Sequence, residues 1–363
     1  MDLFQDVIRP AVTFLTRPEI LLPVASVALA LALKYYRVLS QPKVAGLLGL
    51  VFLGWFVGSL WNDNFKKVIT KPDNIPIVLL VFSVLFLLWL CLRRAALNDE
   101  RAERDEPPLE AIHRRETVLV WPDLVMVEFI CLLAVSALLT VWSVGIRAPL
   151  EEPASAAFTP NPSKAPWYFL GLQEMLVYFD PWLAGVVFPT LIIVGLVAIP
   201  YVDVNPKGNG YFTIKERRFS ITVFLFGFLI FWVVLIFIGT FLRGANWNFF
   251  GPYDKWDPHL QVPLNNIDVS EIVWVKMLKL GRPAHWLQRE IFGILMVLGY
   301  FAVGPALLAK TVLKPLFKPL GFVRFSIVAM LLLCMVSLPL KMLGRWLFNL
   351  KYIVTIPEFF FNI

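Results

Sequence analysis

The sequence predicts an all-α integral membrane protein, with about eight transmembrane helices and a short surface helix in the outward loop between spans 4 and 5. Three observations predict this class. Hydrophobic residues make up 58% of the chain and charged residues only 16%, against roughly 25% charged residues in soluble domains. Apolar stretches recur at the length of about 20 residues that a helix needs to cross a bilayer. The alternation of polar and apolar residues that marks a membrane barrel is absent from the sequence.

Eight stretches of the chain are apolar enough, or nearly so, to cross a membrane. Bundled helices are the expected arrangement, because lipid offers no partners to unpaired backbone amide and carbonyl groups. The predicted spans cover residues 19–38, 43–61, 75–92, 124–144, 183–202, 219–242, 290–309 and 324–343.

Basic residues predict the orientation of these spans, because cytoplasmic loops carry an excess of lysine and arginine. Clusters of such residues follow the third, fifth and seventh spans, for example at Arg93 and Arg94, at Arg217 and at Lys310. The loops 147–181 and 243–289 are then expected to face outward. Three lysines after the second span disagree with this orientation, namely Lys66, Lys67 and Lys71. The net charge of +7 is interpreted as a topology signal, so the lipid bilayer and not nucleic acid is the expected partner.

A charged segment, residues 98–118, divides the chain. It is dense in both charges and contains Pro107 and Pro108, which predicts a solvated cytoplasmic linker. The other predicted segments are a three-helix membrane module at 1–97, a core with an outward loop at 119–243, a second long outward loop at 244–289, and two further spans with a tail at 290–363.

Residues that could hold a metal or haem are scarce. The three histidines, His113, His259 and His285, fall in predicted loops and lack partners at ligand spacing. Because ligation by two histidines inside a bundle requires them on membrane helices, no haem and no other metal is expected on this chain. The three cysteines lie in apolar runs without a CxxC pair.

Ionisable residues inside the predicted spans are also few. Glu128 is the one that we place clearly within a span, with Asp123 at the entrance of that span; an interfacial position for Glu128 stays open. Proton pumps and transporters usually need several such groups. A transporter is therefore the weakest of the functional alternatives.

The outward loop after the fourth span has two parts. Six prolines fall within residues 149–181, so the first part is predicted to be extended and rigid. Residues 167–179 are apolar and free of proline, which predicts a short helix along the membrane surface. One face of that helix is expected to carry Trp167, Gly171, Glu174 and Tyr178.

Two interpretations of this helix remain open from the residues alone. A carboxylate on an aromatic face beneath a rigid loop suits a pocket for an apolar ligand that releases protons. The alternative is an interfacial amphipathic helix whose polar stripe holds Gln173 and Glu174. Asp180 followed by Pro181 predicts the cap that opens the fifth span.

Three segments of the sequence carry a family resemblance. The segments are VWPDLVMVEF at 120–129, EEPASAAFTPNPSKAPWYF at 151–169 and GVVFPTLIIVGLVAIPYVD at 185–203. In this chain order they resemble the C-terminal domain of cytochrome b, which in split forms is subunit IV of the cytochrome b–f complex. Residues 1–116 have no counterpart in that domain.

The resemblance implies that the proline-rich loop forms part of an outer quinol-oxidation pocket, with menaquinol or ubiquinol as the substrate. It also implies that the b haems and an iron–sulfur cluster reside on partner chains. The quinol-binding residues that follow from it are Lys164, Ala165, Pro166, Trp167, Tyr168, Gly171 and Tyr178.

The chain departs from the family at one position of that pocket. Where the family has Pro-Glu-Trp-Tyr, this chain has Ala-Pro-Trp-Tyr, so Pro166 replaces the glutamate implicated in taking a quinol proton. Either the pocket is inactive or another acid accepts the proton. Glu174, two helical turns beyond Trp167, is the candidate proton acceptor. Asp180 is a weaker candidate, because its capping position accounts for it without a catalytic role.

The expected function is therefore the haem-free half of a split cytochrome b in a respiratory quinol:cytochrome c oxidoreductase of a bacterial cytoplasmic membrane. Its expected partners are a haem-binding N-terminal cytochrome b-like chain and a Rieske-type iron–sulfur protein or c-type cytochrome. The alternative is a non-catalytic membrane anchor of another quinone-linked complex. The loop 243–289 either docks such a partner or anchors at the interface through Trp247, Trp256 and Trp286.

Overall fold

The computed structural model describes residues 7–113, 118–146, 153–205 and 211–363. Within these residues seven helices are long and apolar enough to cross a membrane, which confirms an all-α membrane protein. They are Pro42–Ser59, Pro72–Ala102, Val120–Gly145, Leu183–Val202, Ile214–Leu242, Trp286–Lys310 and Lys314–Phe348.

The predicted first span differs from the others. The predicted span 19–38 corresponds to α2 (Pro18–Lys34), which is preceded by a further helix, α1 (Arg9–Leu15), and the two helices meet at an angle of 80°. Arg17 has an extended backbone with ψ 134°, because a residue that precedes proline is disfavoured in the helical region. The pair gives an eighth span only if both helices are counted as one.

Contacts between Cα atoms divide the chain into two compact units. The first unit comprises Met1–Tyr168 and Asn209–Leu260, and the second comprises Phe169–Gly208 and Gln261–Ile363. The family-like segments therefore contribute to both units.

The first unit begins with a set of helices that we call the N-terminal module, residues 7–102. Proline stands at the first position of α2 and of the helix Pro42–Ser59, α4, where its missing N–H is not needed. The side chain of Asn62 caps the helix Asp63–Ile69, α5, by accepting hydrogen bonds from two backbone amides. After α1 and α2, the helices are α3 (Tyr36–Leu39), α4 (Pro42–Ser59), α5 (Asp63–Ile69), a 3-10 turn (Pro72–Asn74) and α6 (Ile75–Ala102).

The rest of the first unit holds two further spans. A π-helical turn (Val120–Leu124) leads into α8 (Val125–Gly145), after the short α7 (Leu109–His113). No residue of α8 is buried, and Glu128 on its first turn is exposed. The second span, Ile214–Leu242, combines α11 (Ile214–Leu225) and α12 (Leu235–Phe237) with the π-helical stretches Phe226–Val234 and Ile238–Leu242.

Polar contacts gather the loops of the first unit at two ends. At one end, Glu103 after α6 binds Arg37 at 2.5 Å and also Lys215 at the start of α11. These two cations lower the pKa of Glu103 to about 2. At the other end, α1 and the residues after α4 contact the loop that follows Ile214–Leu242. This grouping agrees with alternating spans, and it places Lys66, Lys67 and Lys71 at the end opposite the Glu103 cluster.

The second unit is built on a pair of long helices. Tyr300 of α13 (Trp286–Lys310) donates a hydrogen bond to the Leu333 carbonyl of α14 (Lys314–Phe348) at 2.8 Å. Gly304 allows close packing there, since a Cβ atom at that position would lie 2.7 Å from Leu333 Cδ1. The elements are α9 (Leu170–Met175), a π-helical turn (Leu183–Val187), α10 (Phe188–Val202), a second π-helix (Glu271–Met277), α13 (Trp286–Lys310), α14 (Lys314–Phe348) and the antiparallel strands β1 (Thr355–Ile356) and β2 (Phe361–Asn362).

Candidate functional site

The proline-rich loop, residues 153–168, is fastened to the loop 243–260 within the first unit. Asn161 Nδ2 donates to Asn246 Oδ1 at 3.0 Å, and the backbone amide of Asn246 donates to Asn161 Oδ1 at 2.6 Å. Asn246 Nδ2 also donates to the carbonyl of Leu260 at 2.9 Å. A proline-rich segment has few backbone donors of its own, so these side-chain contacts fix its position.

Lys164 forms a second link between the same two loops. Its Nζ donates to the carbonyl of Thr240 at 2.8 Å and lies 4.8 Å from the ring centre of Trp256. Thr240 belongs to the last turn of the span Ile214–Leu242, where carbonyls lack helical partners and a cation is favourable. Lys164 is half-buried. The structure therefore gives it a positioning role for the loop, alongside its predicted place in a quinol pocket.

Replacing Lys164 with methionine is expected to loosen the proline-rich loop. The change keeps the length of the side chain but removes a charged hydrogen bond and a cation–π contact, which stabilise the loop by about 1–3 kcal/mol. Hydrogen exchange of residues 153–168 should become faster than in the unchanged protein. Lys67→Met, at an exposed position, is the control. Unchanged exchange of the loop in Lys164→Met would contradict this role.

The four residues that align with the family motif lie at the end of the proline-rich loop, in the first unit. Pro166 and Tyr168 are exposed, whereas Ala165 and Trp167 are half-buried. The rings of Trp167 and Tyr168 meet edge to face at 5.6 Å. Pro166 offers no ionisable group, so proton chemistry must use other residues.

The predicted helix at 167–179 is shorter in the structure. A 3-10 turn (Trp167–Phe169) precedes α9, and turns follow Met175. Aromatic side chains crowd this segment, and aromatic residues have a lower helix propensity than unbranched ones. The predicted single face from Trp167 to Tyr178 therefore does not lie on one continuous helix.

Gly171, Glu174 and Tyr178, which belong to the second unit, are all buried. The Glu174 side chain has no exposed surface, and the Tyr178 hydroxyl donates to Glu174 Oε1 at 3.3 Å. The ring of Tyr178 packs edge to face on Trp346 at 5.7 Å. A buried carboxylate beside a hydroxyl and apolar rings can accept a proton from a ligand.

Asp180 makes contacts that differ from simple capping. Its backbone carbonyl accepts from the amides of Leu183 and Ala184, as expected where a helix begins. Its carboxylate instead accepts from Asn362 Nδ2 at 3.0 Å and from the Tyr352 hydroxyl at 3.4 Å. Burial, followed by the nearby Asp180 charge, raises the pKa of Tyr352. Asp180 thus ties the start of the span to the C-terminal strand β2.

Glu290 and Lys341 are buried charges in the membrane helices that were not predicted from the sequence, where Glu128 alone was placed clearly inside a span. Glu290 on α13 is 1% exposed and accepts from Arg289 Nε at 3.2 Å and from the Thr355 amide at 3.1 Å. Lys341 on α14 is 3% exposed. The signal was available for Lys341, since a lysine within an apolar window is costly unless it is held by protein.

Lys341 is held by aromatic rings. Its Nζ lies 5.7 Å from the ring centre of Phe179 and 5.8 Å from that of Tyr352. Within the part of the chain that the structure describes, this Nζ is buried without a hydrogen-bond partner. Cation–π contacts offset only part of the cost of removing an ammonium group from water.

Replacing Lys341 with methionine is therefore expected to stabilise the protein by about 1–2 kcal/mol, since apolar replacements of buried charges are often neutral or stabilising. Thermal unfolding of the detergent-solubilised chain measures the change. Lys341→Ala, which leaves a cavity, should lower stability. A loss of stability in the methionine variant would show that the amine has a bonding partner.

Metal-binding side chains do not assemble into a site within the part of the chain that the structure describes. Among the residues that the structure describes, no three histidine, cysteine, aspartate or glutamate side chains could jointly hold a metal ion. His285 precedes α13 and caps it, since its Nδ1 accepts from the Leu287 amide at 3.3 Å. His259 lies in the loop after Ile214–Leu242. This donor set does not fit a haem held by two histidines within a helix bundle.

Comparison with known proteins gives one family. No solved structure matches the chain. Residues 153–252 match the family model described as cytochrome b(C-terminal)/b6/petD. This range begins at the proline-rich loop and contains α9 with Glu174, α10 and the span Ile214–Leu242. It ends within the loop 243–260, whose Asn246 and Trp256 contact Asn161 and Lys164. The segment 153–252 is thus similar to the cytochrome b C-terminal domain, and it lies within a longer multi-pass membrane protein.

Proposed function

We propose that this chain is the haem-free half of a split cytochrome b in a respiratory quinol:cytochrome c oxidoreductase of a bacterial cytoplasmic membrane. The cytochrome b C-terminal match supports a subunit of a bc-type complex. The quinol-oxidation part of the proposal rests on the burial of Glu174, a carboxylate within the matched segment and eight residues beyond Pro166.

Glu174 is suited to take a proton from a quinol hydroxyl. Oxidation of a quinol to a quinone releases two electrons and two protons, so a pocket needs a proton acceptor within hydrogen-bond reach of the substrate. Tyr178 donates a hydrogen bond to one carboxylate oxygen of Glu174, which orients the group. The aromatic and aliphatic neighbours of this segment, including Leu170 and Met175, suit a quinol ring and exclude water.

The electron chemistry belongs to partner chains in this proposal. The b haems and an iron–sulfur centre supply electron acceptors when the complex is assembled. This chain has its histidines outside the membrane-spanning helices, so a haem-binding N-terminal cytochrome b-like chain is required beside it. A Rieske-type protein or a c-type cytochrome completes the assembly. The quinol is menaquinol or ubiquinol.

The test is purification of the complex through a tag on this chain. A co-purified chain should show the absorption difference of reduced b haem when quinol is added. Reduction should stop with an inhibitor of the outer quinol site. A complex without b haem, or one whose haem is not reduced by quinol, would overturn the proposal.

One observation favours a second candidate, a non-catalytic anchor in another quinone-linked complex. Pro166 replaces the acidic residue of the family motif, as is expected if the pocket has lost its reaction. The anchor predicts a stable complex in which substitutions at Glu174 leave quinol turnover unchanged. The catalytic proposal predicts the opposite result.

A further inference from the structure

We infer that the N-terminal module positions the proline-rich loop, and that Tyr253 is the residue through which it does so. The catalytic consequence of this inference rests on the proposed quinol function, while the structural link can be tested separately. All of the residues concerned belong to the first unit. The family match begins at residue 153, so the module is an addition whose role the match leaves open.

Tyr253 is inserted into the N-terminal module. It is completely buried, although it belongs to the loop 243–260. Trp55 Nε1 donates to its hydroxyl at 3.1 Å, and the hydroxyl lies 2.8 Å from Ser59 Oγ. Because Ser59 Oγ donates to the carbonyl of Trp55 at 2.8 Å, the Tyr253 hydroxyl is the donor toward Ser59. Its hydroxyl is therefore both a donor and an acceptor to α4.

The residues after α4 hold the same tyrosine from a second side. Asn64 Nδ2 donates to the backbone carbonyl of Tyr253 at 3.3 Å. The rings of Phe65 and Tyr253 lie 5.7 Å apart, and Phe65 also meets Trp55 edge to face at 6.0 Å. Ring, hydroxyl and backbone of one loop residue are thus all bound by α4 and α5.

A further contact fixes the loop next to Tyr253. Arg9 of α1 pairs with Asp254 at 3.2 Å. Asp254 Oδ2 also accepts from the Gly251 amide at 2.9 Å. A Cβ atom at Gly251 would lie 2.7 Å from Thr13 Cγ2 of α1, so only glycine permits this approach. Helix α1 therefore packs directly on the loop 243–260.

The loop 243–260 passes this support to the proline-rich loop. Its Asn246 exchanges two hydrogen bonds with Asn161, and its Trp256 lies under Lys164. Gly244 would place a Cβ atom 2.5 Å from Phe250 and 3.0 Å from Trp256, so the loop itself is tightly packed. A catalytic pocket depends on loops held to within fractions of an ångström. The N-terminal module restrains the loop 243–260, which has little regular secondary structure of its own.

The experiment uses the purified complex with three variants of this chain, Tyr253→Ala, Tyr253→Phe and Asn161→Ala. Tyr201→Ala, at a tyrosine that is 70% exposed, is the matched control. Hydrogen exchange of residues 153–168 and 243–260 is measured, together with kcat and KM for quinol. Tyr253→Ala should speed exchange in both loops by about tenfold or more. Asn161→Ala should speed exchange in residues 153–168 and at the amide of Asn246, which loses its acceptor, and should leave the rest of residues 243–260 unchanged.

The kinetic measurements should distinguish a positioning role of Tyr253 from a loss of assembled complex. Tyr253→Ala is expected to raise KM by about tenfold with a smaller change in kcat and an unchanged b-haem spectrum. Tyr253→Phe keeps the ring but loses the hydroxyl contacts with Trp55 and Ser59, so it should speed exchange in both loops by a smaller factor and keep KM closer to normal. If the alanine variant does not assemble, unchanged exchange in both loops of Tyr253→Phe alone overturns the inference. Faster exchange confined to 243–260 in Tyr253→Ala, or unchanged exchange in both loops of Tyr253→Phe and Tyr253→Ala, would overturn the inference. Faster exchange in both loops with unchanged kinetics would support the link and count against the quinol function of the loop.

Discussion

Replacing Glu174 with glutamine is expected to lower quinol oxidation by about 100-fold or more, the range that a general base contributes. Glutamine keeps the volume and the acceptor oxygen that faces the Tyr178 hydroxyl. It cannot take a proton at neutral pH. The fold should be retained, because a neutral amide costs less to bury than a carboxylate.

The measurement is quinol-dependent reduction of the partner's b haem in the purified complex. Glu19→Gln, at an exposed position on α2, is the matched control and should retain normal turnover. Tyr178→Phe should have a smaller effect, since it removes the orienting hydrogen bond but keeps the carboxylate. Near-normal turnover in Glu174→Gln would rule out this residue as the proton acceptor.

The spans were predictable because the bilayer restricts them so strongly. A helix in lipid must be apolar over about 20 residues, and this requirement can be read from a single sequence. The bend between α1 and α2 was not predicted, although Pro18 signalled it. The predicted first span began at position 19, whereas the structure has an additional helix before it, α1, which packs against Gly251.

The candidate site was predictable only in its local part. Spacing and family resemblance pointed to Glu174 and Tyr178, and the structure brings these two together by one hydrogen bond. The contacts of Asp180 with Asn362 and of Lys164 with Trp256 join residues far apart in sequence. Such pairings depend on how the helices pack, for which the periodicity of a single sequence gives no signal.

Tyr253 shows the same limit most clearly. In the sequence it is one aromatic residue in a loop rich in tryptophan and phenylalanine, where an interfacial role is the ordinary expectation. Its burial follows from contacts with Trp55, Ser59 and Asn64 of α4 and α5, which lie 189 to 198 residues earlier in the chain. The prediction of a docking or anchoring loop at 243–289 therefore missed an internal partner, the N-terminal module.

Replacing Asp99 with alanine is expected to destabilise the first unit by about 3 kcal/mol, since hydrogen bonds to a charged group are worth about 1.5–3 kcal/mol each. Asp99 is 1% exposed. Its Oδ2 accepts from the Tyr36 hydroxyl at 2.7 Å and from the Ile214 amide at 3.2 Å, and the Lys215 amide approaches at 3.3 Å. Asp99 on α6 thereby caps α11, whose own Thr213 provides no side-chain cap, and binds α3 as well.

The alanine variant would remove the acceptor of the buried Tyr36 hydroxyl, of the buried Ile214 amide and of the Lys215 amide, which accounts for the size of the effect. Thermal unfolding in detergent should show a midpoint lower by several degrees. Asp99→Asn retains one acceptor oxygen and should cost less, and Tyr36→Phe should cost about 1 kcal/mol for its single bond. Asp73→Ala, at an exposed residue, should change the midpoint little. Equal midpoints for Asp99→Ala and Asp73→Ala would show that the three helices α3, α6 and α11 hold together without this carboxylate.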